Sequence, residues 1–174
     1  MLAGTLEDCV DVRRRAGVPR RRALLYGGTL AAITAVIALA FTGLYGVTTR
    51  TERAEGGGYE LEVRYGDRSR GALATPFEID VHRPGGFDGP VTLAVTADYL
   101  RMWDENGLVP APSAERTEGR WLIWEFEPPE GETLSVAYDA RIEPAAQDGE
   151  RGEVQIREEG TPVAAVSFET RVFP

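Results

Sequence analysis

The residues able to do chemistry in this chain are few and poorly grouped. His82 is its only histidine and Cys9 its only cysteine. A serine nucleophile needs a base beside it. The single imidazole lies on the polar side of "FEIDVHR", ahead of "RPGG", and no serine sits in a G-x-S-x-G turn. Metal sites built from histidine and thiolate are excluded by number. "DENG" at 104–107 opens like a calcium loop, but Met102 stands two residues before Asp104, and Pro110 and Pro112 flank the place a bidentate glutamate should take. Carboxylates abound, yet neighbouring acids on an acidic surface are usually solvated and carry no glycosidase signature. The sequence therefore assigns no catalytic residue, no metal and no cofactor.

Aromatic side chains offer binding instead. In "RWLIWEF", Trp121 and Trp124 fall on opposite faces of a strand, so Trp121 points away from the core side that takes Trp124. An outward Trp121 beside Trp103 would make a platform for a sugar ring or an anchor for a protein partner. The competing expectation is that Trp121 closes an edge beneath the loop at 97–119, with Trp103 on the core.

The elements that must position these residues divide the chain in two. Residues 23–47 are 25 consecutive uncharged residues, about 37 Å of helix against a bilayer core of ~30 Å. Tyr26 and Tyr45 stand nineteen residues apart, about 28 Å along a helix, a spacing that suits two interfacial belts. An export signal has a shorter apolar core. "ALA" at 38–40 fits a small-x-small cleavage site, and "RRALL" loosely resembles a twin-arginine signal. Length and belt favour an uncleaved transmembrane helix. Six arginines precede the run against three acids, and thirteen follow it against 25 acids, giving charges of +3 and −12. Positive residues stay inside, which places a basic tail (1–22) in the cytoplasm and the rest outside the cell membrane. The acidic outer part has no basic face for nucleic acid.

On a helical wheel Gly27, Ala31, Ala35, Ala38, Thr42 and Gly46 share one arc, a small-residue stripe of the kind that lets a second membrane helix approach. A helix rich in Ala and Gly gives such stripes by chance as well. Residues 48–58, "TTRTERAEGGG", read as a flexible linker. From Tyr59 the apolar period becomes two: "YELEVRY", "FEIDVHR", "VTLAVT", "RWLIWEF", "LSVAYDARI", "EVQIRE" and "VAAVSFETRVF" give seven strands over 59–174. Turn sequences such as "RPGGFDGP" and "EPPEGE" separate most of them. Short strands at this spacing predict a mainly β fold, an antiparallel sandwich. "DYLRMWDENG" predicts a helical turn. No disulfide can form with one cysteine, so the core alone must hold the domain.

"FEPPEGETLSVAYDA", a Pro/Gly turn joining two strands, resembles immunoglobulin-like modules on bacterial surface proteins. "FEIDVHRPGGFDGPVTL" and "WEFEPPEGETLSVAYDARIEP" are similar to small single-pass membrane proteins of high-GC bacteria that carry no assigned activity. The chain departs from antibody-type domains in lacking their cysteine pair. The resemblance implies a non-catalytic accessory protein that presents an immunoglobulin-like domain outside the membrane. Its expected partners are the bilayer and a larger membrane protein, or a second copy of the chain through the helix. The alternative is an envelope carbohydrate-binding module using exposed tryptophan.

Overall fold

The computed structural model describes residues 20–41, 46–146 and 148–173. The chain forms two compact units, Met1–Tyr45 and Gly46–Pro174. In the first, α1 (Arg20–Phe41) carries apolar side chains all round, and Leu24, Leu25, Tyr26, Leu30, Val36 and Phe41 are exposed. Its uncharged part runs from 23 to 41, nineteen residues, about 28 Å. Among the described residues no helix is long and apolar enough to cross a membrane. Thr42 and Tyr45 lie outside the described residues, so the stripe is seen on α1 only at Gly27, Ala31, Ala35 and Ala38. Gly46 is not part of it: it lies beyond the end of α1, in the second unit.

The second unit is mainly β, a curled sheet of ten strands rather than seven. The expected strands appear as β2 (Tyr59–Arg70), β3 (Phe77–His82), β4 (Val91–Thr96), β7 (Trp121–Phe126), β8 (Thr133–Ile142), β9 (Glu150–Glu158) and β10 (Thr161–Phe173). Three more join them: β1 (Thr48–Gly56), β5 (Trp103–Val109) and β6 (Ala114–Glu118). A single turn of helix, α2 (Ala97–Leu100), precedes β5 and buries Tyr99 and Leu100.

The expected linker at 48–58 is instead a hairpin. β1 pairs antiparallel with β2 from Gly56 opposite Tyr59 to Thr48 opposite Arg68. The two residues between the strands, Gly57 and Gly58, both have positive φ (60° and 80°), as a tight hairpin turn of matching twist requires. β1 is polar on both faces, so it has no apolar period to announce it; backbone pairing to β2 forms it. The β unit thus starts at Gly46 rather than Tyr59.

The strand order is β5-β8-β3-β2-β10-β9-β4-β7-β6, with β1 added on β2. One pairing is parallel. β10 runs antiparallel to β9 through Thr170, then parallel to β2 at Arg171–Phe173. That change of partner joins the two halves of the sheet, and their inward residues form one core. Tyr59, Leu61, Val63 and Tyr65 of β2 face Phe77, Ile79 and Val81 of β3 in register and are all buried. Phe77 is central: Tyr99, Phe168, Tyr138 and Trp103 surround its ring at centroid distances of 5.3, 5.7, 6.0 and 6.2 Å. Two of the polar groups that enter the core are bonded to each other. Tyr99 Oη pairs with Thr170 Oγ1 at 2.9 Å, and Thr170 Oγ1 donates to the Gly66 carbonyl at 2.7 Å. Burial pushes the Tyr99 phenol well above its ordinary pKa, the Thr170 bond opposing it in part, so the hydroxyl stays neutral.

Candidate functional site

Trp121 opens β7, opposite Thr96 of β4 and Glu118 of β6. Strand alternation turns it to the outer face of the sheet, while Trp124 is buried. Ala94, Ile123 and Gln155 are buried beside it on that outer face. Their cover is a layer of aromatic and charged groups. The Arg120 and Arg157 guanidiniums stand 4.6 and 5.0 Å from the Trp121 ring centre. Arg120 pairs with Glu153 at 2.9 Å. Arg157, its side chain only 10% exposed, bonds Gln155 at 3.0 Å and reaches Glu118 at 3.4 Å. Cations over an indole contribute about 0.5–2 kcal/mol each, more as they lose solvent. Trp121 is therefore half-buried and occupied by two guanidiniums.

Trp103 is not beside it. The side chain is buried in the core, stacked near Phe77 and edge-on to Tyr138 at 6.1 Å, and its Nε1 has no hydrogen-bond partner among the described residues. The two tryptophans do not form a platform, and Trp103 lies on the core, as the competing expectation has it. The reason is local: "DENG" does not end the strand region but belongs to β5, and pairing of Trp103 with Ile142 of β8 turns the indole inward. A sugar ring would have to displace Arg120 or Arg157 from Trp121 alone.

A second grouping was not legible in the sequence. Tyr59 Oη donates to Glu158 Oε1 at 3.0 Å and accepts from Arg83 Nη1 at 3.1 Å. The Arg83 guanidinium lies 5.0 Å from the Tyr59 ring centre and pairs with Asp88 at 3.1 Å. Burial, then the bond to Glu158, raises the Tyr59 pKa, with Arg83 opposing. These residues line an open cleft of about 940 Å³ with Arg157, Glu159 and Val163. Arg83 and Glu158 lie 24 and 99 residues from Tyr59 in sequence, so only the fold brings them together. Both arginines of the group have carboxylate partners, Asp88 for Arg83 and Glu118 for Arg157, and the cleft is open.

The remaining reactive groups are dispersed. His82 Nδ1 lies 3.2 Å from Thr133 Oγ1 on the outer side of β3 and β8. Asp104 is paired with Arg141, and Glu105 accepts from Tyr138 Oη at 3.2 Å. Among the described residues no group of three or more His, Cys, Asp or Glu side chains is placed to hold a metal ion. Cys9 lies outside the described residues. No protein-family model and no curated protein matches this chain.

Proposed function

We propose that this chain is a single-pass membrane accessory protein, anchored by its N-terminal apolar helix and presenting an immunoglobulin-like domain on the outer side. One observation carries the reading: a helix whose large apolar side chains are exposed all round is followed within a few residues by a well-packed β unit. An all-round apolar helix needs an apolar surrounding. The apolar run continues in sequence to Val47, which brings its length to 25 residues, enough to span. The charge change across the run, +3 before it and −12 after it, supports a cytoplasmic N-terminus.

Strand order supports the immunoglobulin-like assignment. In chain order β2, β3, β4, β5, β8, β9 and β10 divide into β2–β3–β8–β5 and β4–β9–β10. This is the grouping of the seven strands of a constant-type domain. The β6–β7 hairpin is inserted between the fourth and fifth strands and extends the second group through β4. A core of stacked aromatics takes the place of the missing disulfide.

Partnering is proposed through the helix, where Gly27, Ala31, Ala35 and Ala38 line one side. The partner is a larger membrane protein or a second copy of the chain. Replacing Ala35 or Ala38 with Ile should weaken self-association or partner co-purification from detergent by about 1–2 kcal/mol, while Ile37→Ala should not. Equal behaviour of the two classes in a membrane two-hybrid assay would remove the stripe from the account.

A further inference from the structure

We infer that the end of the β unit at which β1 begins docks on an anionic bilayer surface through a basic and aromatic strip on β2 and β10. This rests on the anchor reading above. The short parallel pairing places Arg171 beside Arg68 and Phe173 beside Arg70. Between them Ser69 and Val172 are buried, so alternation turns Arg68, Arg70, Arg171 and Phe173 to the outer face together. Arg68 is exposed and has no carboxylate partner among the described residues. Arg171 is 63% exposed and shares Glu169 with Arg151. Among the described residues Arg68 and Arg171 thus outnumber the one acid they meet, Glu169, in a part of the chain whose balance is −12.

Apolar exposure gathers at the same place. Large hydrophobic side chains exposed in the β unit are Leu73, Val109 and Phe173. Two of these three belong to this end: Phe173 on the strip, and Leu73 in the turn that follows Arg70, whose backbone N–H bonds the Arg70 carbonyl. Arginine beside an exposed aromatic suits a headgroup layer, where guanidinium forks bind phosphate oxygens and a ring enters the interface.

Chain continuity favours the bilayer as the surface the strip meets. Thr48 is opposite Arg68 in the β1–β2 ladder, and only Val47 separates β1 from Gly46. In sequence, β1 thus follows the apolar run directly, where an eleven-residue linker at 48–58 was expected. The other end of β2 lies about 36 Å away along the strand. There Glu158 bonds Tyr59, and Glu127, Glu130 and Glu132 occupy the turn leading into β8. Those acids would be repelled by anionic lipid, so the charge pattern favours one way up.

The test uses the full chain with Cys9→Ser and a polarity-sensitive fluorophore on Leu73→Cys, in phosphatidylcholine vesicles with and without phosphatidylglycerol. A second labelled chain carries Glu130→Cys instead. Docking predicts an apolar emission shift of the Leu73 probe, and quenching by nitroxide lipids, that grow with phosphatidylglycerol; the Glu130 probe stays aqueous. Arg68→Glu with Arg171→Glu should raise the phosphatidylglycerol needed by roughly tenfold or more, since each basic residue near an anionic surface counts. A Leu73 probe that stays aqueous, or responds equally in neutral vesicles, overturns the docking, as does shielding seen only in native membranes, which assigns the strip to a protein. An alkaline wash of the same vesicles separates the two ideas. A chain that remains with the lipid while its probe is aqueous fails docking alone; a chain that washes off fails both.

Discussion

Phe77→Ala should cost the β unit about 3–5 kcal/mol, a large share of the ~5–15 kcal/mol that holds an ordinary domain. Phe77 is 1% exposed, and four aromatic rings from α2, β5, β8 and β10 pack against it. Their spacing is set by one another, so none can swing in to fill the void without losing its own contacts. Tyr99 and Tyr138 cannot move freely either, because their hydroxyls are held by Thr170 and Glu105. Denaturant unfolding of the chain in detergent, followed by tryptophan fluorescence, should show a lower midpoint with an unchanged slope. Phe173→Ala, on the exposed end of β10, should change stability by under about 1 kcal/mol. A similar loss from both variants would mean that the aromatic cluster is not the centre of the core.

Gly149→Ala is expected to rank next, at about 2–3 kcal/mol. A Cβ at Gly149 would overlap the carbonyl oxygen of Thr170 and lie 2.7 Å from the Arg171 Cα. The obstacle is backbone, so no rotamer change relieves it. Its position makes the strain consequential: Thr170 is the last β10 residue paired with β9, and Arg171 the first paired with β2. Forcing β9 away from that point loosens the join between the halves of the sheet. Gly89→Ala is the control, because nothing lies within 4 Å of a Cβ there; it should be close to neutral. A Gly149→Ala chain as stable as the parent would contradict the close approach of β9 and β10.

The strands that sequence made visible are those with one face in the core. Leu61, Val63, Ile79 and Val81 alternate with Glu62, Glu78 and Asp80, and the alternation is the burial pattern itself. The three unexpected strands lack that mark for physical reasons. β6, "AERTE", is exposed along its whole length. β1 is almost entirely exposed, and three glycines next to it imitate a linker. β5 carries a register shift between Glu105 and Gly107, which breaks its period within "WDENG". Each is held mainly by backbone pairing to a neighbour, and a ladder of main-chain bonds leaves no pattern in side-chain type.

Surface groupings were harder still. The outward turn of Trp121 followed from its parity with Trp124, but nothing local indicated that Arg157, 36 positions later, would stand over its ring. Trp103 shows the opposite case, since "DENG" suggested a turn and hid the strand that buries the indole. The strip of Arg68, Arg70, Arg171 and Phe173 depends on a three-residue parallel pairing between chain segments about a hundred residues apart. Parallel contact of that length has no sequence signature.

Retention of the whole chain in a bilayer is the central claim, and the intact mass of protein recovered from alkaline-washed membranes tests it most directly. The account predicts a membrane-bound species that begins at the native N-terminus and keeps residues 1–40. A membrane-free species beginning at Phe41, as cleavage after "ALA" at 38–40 would leave, would contradict it.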